Sequence, residues 1–243
     1  ECVIIDSWHT FKRAWLLEKD TMRKPKILLF DLDGTLVDST QAIYASFCES
    51  FKAMGQIPPS FESVKQYIGH TLEDMFLAHN VSSLQVESYV QHYRNCYRKL
   101  MEEGTHLLPY VKDALKRAYE FASLGVVTTK RGDFSRILLE NLGVWKYFDG
   151  IVGIESVKYP KPHAEPILKA LDLLQAQQNG ISKNRIYMVG DTMLDIQAAQ
   201  NAGIKAVGVL CGFGIEADMR ASNVPLYANP LMAVDYIAQK CSI

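Results

Sequence analysis

An α/β fold, with a parallel sheet covered by helices on both faces and interrupted by a helical insertion, is the class this 243-residue sequence predicts. Three observations carry it. Short apolar runs recur and end in polar residues. Segments of helical periodicity alternate with them. One long stretch, residues 39–105, is helical in pattern almost throughout and breaks that alternation.

Taken in order, residues 1–21 hold Trp8, Phe11, Trp15 and Leu16 with Lys12, Arg13 and Lys19 between them. They read as an N-terminal extension, docked or frayed, with Met22 opening the domain. An amphipathic helix lying on a membrane or a partner is the alternative. A signal peptide would need a longer apolar run and a small-residue cleavage site. Residues 26–30 (Lys-Ile-Leu-Leu-Phe) form an apolar run of a length that suits a buried parallel strand, and Asp31 closes it. Runs at 124–128, 186–190 and 204–210 have the same form, with a fifth strand at 150–154. Helices are expected at 133–142, 164–175 and 193–202, and 175–183 reads as a polar surface loop. In the insertion, Ile43, Phe47 and Phe51 fall at four-residue steps. Four or so helices are expected there, broken at 58–70, with Asp38-Ser39 as the N-cap of the first. Capping rather than catalysis is the reading for Asp38. The expected organisation is an extension at 1–21, a core from 22–38 and 106–243, and a helical insertion at 39–105.

Composition narrows the function. The apolar share of 48% supports a sizeable core, and a formal net charge of -1 gives no electrostatic footprint for nucleic acid or an anionic membrane. The five cysteines are odd in number, far apart and never in a C-x-x-C pair. A disulfide framework or zinc site is therefore not expected, and reduced thiols in a cytoplasmic setting are the simpler reading. No apolar stretch approaches the length of a bilayer span.

In open α/β sheets ligands sit beyond the carboxyl ends of the strands, so polar residues at strand ends are the candidates. Asp31-Leu-Asp33-Gly34-Thr35 follows the first strand. Two carboxylates two residues apart can face one pocket, and Gly34 permits the tight turn that brings the backbone there. Such a pair suits Mg²⁺, or attack on phosphorus by one carboxylate while its neighbour moves a proton. Thr128 ends the second strand, with Thr129 and Lys130 behind it, and a hydroxyl there can hydrogen-bond a phosphoryl oxygen. Lys161 sits between Pro160 and Pro162, where its charge can offset nucleophile and phosphate. Asp191 closes another strand at the position of a metal ligand, with Asp195 one helical turn on. Singly, Asp191 and Asp195 also read as an N-cap and a first-turn dipole charge.

Together these four motifs resemble those of haloacid dehalogenase (HAD) superfamily hydrolases of the phosphoglycolate phosphatase-like branch, over about residues 25–240. The resemblance implies a Rossmann-like, HAD-like core with a helical cap at 39–105. It implies Asp31 as nucleophile and Mg²⁺ ligand, and Asp33 as general acid and base with its backbone carbonyl on the metal. It assigns Thr128, Thr129 and Lys161 to the phosphoryl group and Asp191 to the metal. Asp195 would support the metal's water shell or orient Lys161. The loop Tyr67-Ile-Gly69-His70-Thr71 is similar to the cap loop that faces the active site in relatives. His70 reads equally as a substrate contact and as a surface loop histidine. Arg94, Arg98 and Lys99 are a further contact group for an anionic tail, although a solvated helix face is their simpler reading. Asp33 departs from the dehalogenase branch, and Thr35 stands where the sugar-phosphate mutase branch tends to carry Val or Ile. His163-Ala164 departs from the family's Lys-Pro-x-Pro, and Thr128-Thr129-Lys130 also resembles a pyrophosphatase subgroup.

The expected function is Mg²⁺-dependent hydrolysis of a small phosphorylated metabolite, with 2-phosphoglycolate as lead substrate, by a monomer or homodimer that binds neither nucleic acid nor membrane. Alternatives are a pyrophosphatase, a nucleotide or sugar phosphatase, a mutase, and a non-catalytic module that recognises a phosphorylated ligand.

Overall fold

The computed structural model describes residues 24–175 and 181–240. The extension read at 1–21, Met22, the middle of the polar loop read at 175–183, and Cys2 and Cys241 lie outside the described residues.

The chain builds a six-stranded parallel sheet in the order β5-β4-β1-β6-β7-β8. Its strands are β1 (Lys26–Phe30), β4 (Ala122–Val127), β5 (Gly150–Val152), β6 (Ile186–Gly190), β7 (Lys205–Val209) and β8 (Leu226–Tyr227). Burial on both faces explains the continuous apolar runs. Ile27 and Leu29 of β1 pack with Ile186 and Met188 of β6 on one face. Leu28 and Phe30 pack with Tyr187 and Val189 on the other. Helices α5 (Val111–Tyr119) and α10 (Pro230–Gln239) cover one face. Helices α7 (Glu165–Gln175) and α8 (Met193–Ala202) cover the other, and α6 (Gly132–Asn141) and the short α9 (Glu216–Ala221) complete the core.

The run expected at 150–154 is a strand only to Val152, because Ile154–Ser156 turns into a 3₁₀ helix. The second strand ends one residue before Thr128. The edge strand β8 has only two residues, too few for any alternation to register.

The insertion folds as α1 (Thr40–Ala53), α2 (Phe61–Lys65), α3 (Leu72–Ala78) and α4 (Val86–Leu100). Ile43, Phe47 and Phe51 form the buried stripe of α1. Phe47 stacks on Phe76 of α3 with ring centroids 4.3 Å apart, and Phe76 meets Tyr89 of α4. This second core is continuous with Phe134 and Leu138 of α6, so the cap rests on the sheet domain. The two chain crossings pair with each other as a small antiparallel ladder, β2 (Val37–Asp38) against β3 (His106–Leu107).

At the start of α1 the two residues read as a joint cap divide their tasks. Asp38 Oδ1 accepts from the Thr40 backbone N–H at 2.9 Å, while Ser39 makes no capping bond and turns its hydroxyl to Asp33.

Candidate active site

The strand order puts the carboxyl ends of β4, β1 and β6 side by side, and the next residues are Thr128, Asp31 and Asp191. All three are buried. Backbone bonds Asp31 N–H to Val189 O and Thr128 N–H to Val152 O, both 3.0 Å, extend the sheet ladder to these residues. Their Cα positions are therefore fixed by the core. Beyond β1 the chain turns back through Gly34, whose N–H donates to Val37 O at 2.8 Å. Gly34 has φ +85°, and a Cβ there would sit 2.3 Å from Asp191 Oδ2. Glycine is required by both conformation and space.

Two lysines, Lys161 buried and Lys130 largely so, divide the carboxylates between them. Lys161, preceding a cis proline, donates to Asp31 Oδ1 at 2.7 Å, Asp195 Oδ1 at 2.6 Å and the Val127 carbonyl at 3.2 Å. Those are all three of its protons. Lys130 donates to Asp33 Oδ1 at 2.8 Å, Tyr97 Oη at 2.6 Å and Ser39 Oγ at 3.3 Å. Burial alone would lower both lysine pKa values, but the carboxylates beside them more than reverse this, so both stay above the ordinary lysine value.

Asp31 and Asp191 still lack full compensation. Burial raises the Asp31 carboxyl to about 7, with Lys161 opposing and Asp195 reinforcing the rise. Burial and then the Asp31 charge push Asp191 well above the carboxylate range. Asp191 is held by Thr35 Oγ1 on Oδ1 at 2.7 Å and by the Phe213 N–H on Oδ2 at 2.8 Å. Asp195 opens α8 behind an N-cap that is Thr192, not Asp191. Its Oδ2 accepts from the Thr192 N–H at 3.0 Å and from Thr192 Oγ1 at 2.8 Å, while its Oδ1 takes Lys161.

Carboxylate oxygens of Asp31, Asp191 and Asp195 lie within 4.8 Å of one another, a spacing that can hold one metal ion. Hard oxygen donors and crowded buried anions suit a divalent cation. Among the described residues Asp31 Oδ2 accepts no protein hydrogen bond, whereas both oxygens of Asp191 and of Asp195 do. Asp195 is bound to the Lys161 ammonium and Asp191 only to neutral donors, which leaves Asp31 and Asp191 as the better ligands.

The other expected residues surround this centre unevenly. Thr128 Oγ1 accepts from the Lys130 N–H at 3.1 Å, which leaves its own proton available to donate. Thr129 instead gives its proton to the Gly69 carbonyl of the cap at 2.9 Å. Gly69 has φ +107°, which presents that carbonyl to the core. His70 is exposed on the cap loop and lines a cavity beside Asp33. Arg94 lines the same cavity, whereas Arg98 lies over the Phe134 ring, 5.3 Å from its centroid, and Lys99 is exposed.

Ser39, Thr35, Tyr97 and Phe213 were not among the expected site residues, and Lys130 entered only as the residue behind Thr129. Thr35 and Lys130 sit inside recognisable motifs, so their positions carried a signal. Tyr97 and Phe213 come from segments whose approach depends on tertiary packing.

Comparison with known proteins decides the family. The model of the haloacid dehalogenase-like hydrolases matches residues 28–209. The chain belongs to this family. Within the HAD-like hydrolases it is 34% identical over 188 residues to the pyrophosphatase PpaX of Bacillus mycoides, covering 76% of this chain and 84% of that protein. A HAD-like hydrolase from Streptococcus pneumoniae superposes with a TM-score of 0.78 at 31% identity, covering 88% of this chain and 99% of that one. A structure described as a predicted phosphoglycolate phosphatase from Haemophilus somnus gives a TM-score of 0.77, covering 89% and 99%. Its identity is 23%, so it speaks for the HAD fold alone.

Proposed function

We propose that this chain is a Mg²⁺-dependent phosphatase for small phosphorylated metabolites that works through an aspartyl-phosphate on Asp31. The observation that carries the reading is the pairing of Asp31, held by Lys161 at 2.7 Å within the carboxylate cluster, with Asp33 two residues on.

An Asp31 oxygen attacks phosphorus, and the bond from phosphorus to the leaving oxygen breaks. Asp33 gives that oxygen a proton. Its Oδ1 is occupied by Ser39 and Lys130, while Oδ2 accepts no hydrogen bond among the described residues and is the atom left to carry the proton. Water then attacks phosphorus, Asp33 Oδ2 takes the water's proton, and the acyl phosphate bond breaks to regenerate Asp31. Lys161 offsets the negative charge gathered on the phosphoryl group, and the Thr128 hydroxyl orients it. Asp31 and Asp191, with the Asp33 backbone carbonyl, would hold Mg²⁺, which supplies Lewis-acid stabilisation of the phosphoryl charge. Asp195 fixes the Lys161 ammonium against Asp31.

The cavity beside Asp33, about 60 Å³, favours a short leaving group such as the glycolate of 2-phosphoglycolate. Pyrophosphate is a second reading, favoured by the PpaX name of a 34%-identical relative. Steady-state phosphate release from 2-phosphoglycolate, pyrophosphate, nucleotides and sugar phosphates, with Mg²⁺ and with EDTA, tests this. Asp31→Asn is expected to lower turnover by more than about a thousandfold while keeping the fold. Substantial activity in that variant excludes the covalent scheme.

A further inference from the structure

The cavity between cap and core, where the leaving group is placed above, is bounded by Asp33 and Lys130 on one side and His70 and Arg94 on the other. Its cations are not equivalent. Lys130 spends all three protons on Asp33, Tyr97 and Ser39. Arg131 is bound bidentately to Asp133 at 2.9 and 2.7 Å. Arg94 is different. Its Nε is buried without a hydrogen-bond partner among the described residues, and its Nη2 makes only a 3.7 Å ion pair, too long for a hydrogen bond, with Glu73 of the same cavity lining. A guanidinium donor withdrawn from water and left unpaired is costly, and an anion in the cavity would satisfy it.

We propose that Arg94 is the specificity residue for a negative charge on the leaving group. This rests on the reading that Asp31 attacks phosphorus and Asp33 protonates the leaving oxygen. The phosphoryl group then lies at the strand ends, and the rest of the substrate extends past Asp33 into the cavity. One water needs about 10–15 Å³ of such space, so about 60 Å³ accepts a few heavy atoms. That fits a carboxymethyl or a second phosphoryl group. The substrate class is therefore a phosphoryl compound whose leaving group is small and anionic, either a carboxylate or a phosphate.

The test compares wild type, Arg94→Met and Arg94→Lys on three substrates: 2-phosphoglycolate, pyrophosphate and 2-hydroxyethyl phosphate, the uncharged-tail analogue of the first. Arg94→Met is expected to lower kcat/KM for an anionic-tail substrate about tenfold to a hundredfold, mainly through KM. The loss on 2-hydroxyethyl phosphate should be at least about tenfold smaller, with partial recovery in Arg94→Lys. Whichever anionic substrate suffers the loss identifies the source of the charge. Equal losses on all three, or none, overturn the subsite. Calorimetric binding of 2-phosphoglycolate and of pyrophosphate to Asp31→Asn, with and without Arg94→Met, separates the two claims. An unchanged Kd for both ligands overturns the Arg94 subsite even if the chain is an active phosphatase. A weaker Kd with no turnover by wild type upholds the subsite and refutes the phosphatase reading.

Discussion

Asp31 and Asp33 differ by two positions in sequence and are restrained by different lysines. The Lys161 ammonium is shared with Asp195, so Asp31 receives only part of its charge, and burial wins: the carboxyl rises to about 7. In the metal-free protein the folded state therefore binds a proton that the unfolded chain has already released. Between pH about 4 and 7 the native state holds more protons than the unfolded one, and stability falls as pH rises through that window by an amount of order a few kcal/mol. Thermal unfolding of wild type and Asp31→Asn in EDTA, at steps from pH 5 to 8, should show the gap between them widening as pH rises in favour of the variant. A constant gap would exclude this titration. At the proposed Mg²⁺ site the cation would replace the proton, so its affinity should drop on acidification below about pH 7. Thr35 makes a second prediction at this scale. Its hydroxyl fixes Asp191 Oδ1, so Thr35→Val should weaken apparent Mg²⁺ affinity about tenfold to a hundredfold in a metal titration of activity, with saturating kcat less affected. Asp31, Asp33 and Asp191 were legible in the sequence because they follow apolar strand runs, and Lys161 because it stands between Pro160 and Pro162. Thr35 registered as the end of the Asp31–Thr35 motif and as a difference from another branch, but not as the partner of Asp191, since a partner 156 positions away leaves no local mark.

Among the elements, the helical stripe of α1 was readable because three aromatic or aliphatic residues recur at the α-helical period. Its meaning, an aromatic core inside the cap, appears only with α3 and α4 in place. Phe47 is fully buried and stacked on Phe76, so Phe47→Ala should destabilise the fold by about 3–5 kcal/mol in denaturant unfolding. A loss under about 1 kcal/mol would mean that this core collapses around the gap. Helix α4 does more than pack. Tyr97 reaches from the cap to accept from Lys130, which in turn holds Asp33. Tyr97→Phe removes one acceptor and leaves the ring, so kcat should fall about fivefold to tenfold with little change in the melting temperature. The paired two-residue strands β2 and β3 were not legible: two residues cannot display alternation, and the antiparallel match depends on partners nearly seventy positions apart.

Over the whole molecule, cap and core meet through a shared apolar cluster at Phe134 and Leu138 and through the polar contact of Thr129 with the Gly69 carbonyl. The division into a sheet domain and a helical insertion could be anticipated because a change of period along the chain is a global signal. How the two bodies touch could not. Thr129 was expected on the phosphoryl group, yet here its proton is given to the cap, because Gly69 brings a backbone acceptor within 2.9 Å. Gly69→Val places a branched side chain at φ +107° and should disturb that seam. KM for substrate should rise about tenfold, while affinity at the proposed Mg²⁺ site, whose residues belong to the core, should stay within about twofold.

The ladder of Val37–Asp38 with His106–Leu107 has a consequence for descent and engineering alike. Where an inserted segment departs and returns through neighbouring residues, the host's sheet does not register what lies between. A lineage, or a designer, can exchange the intervening helices for others of different size at one splice point. Substrate preference can thus be rewritten while the carboxylates proposed for catalysis stay in their inherited frame.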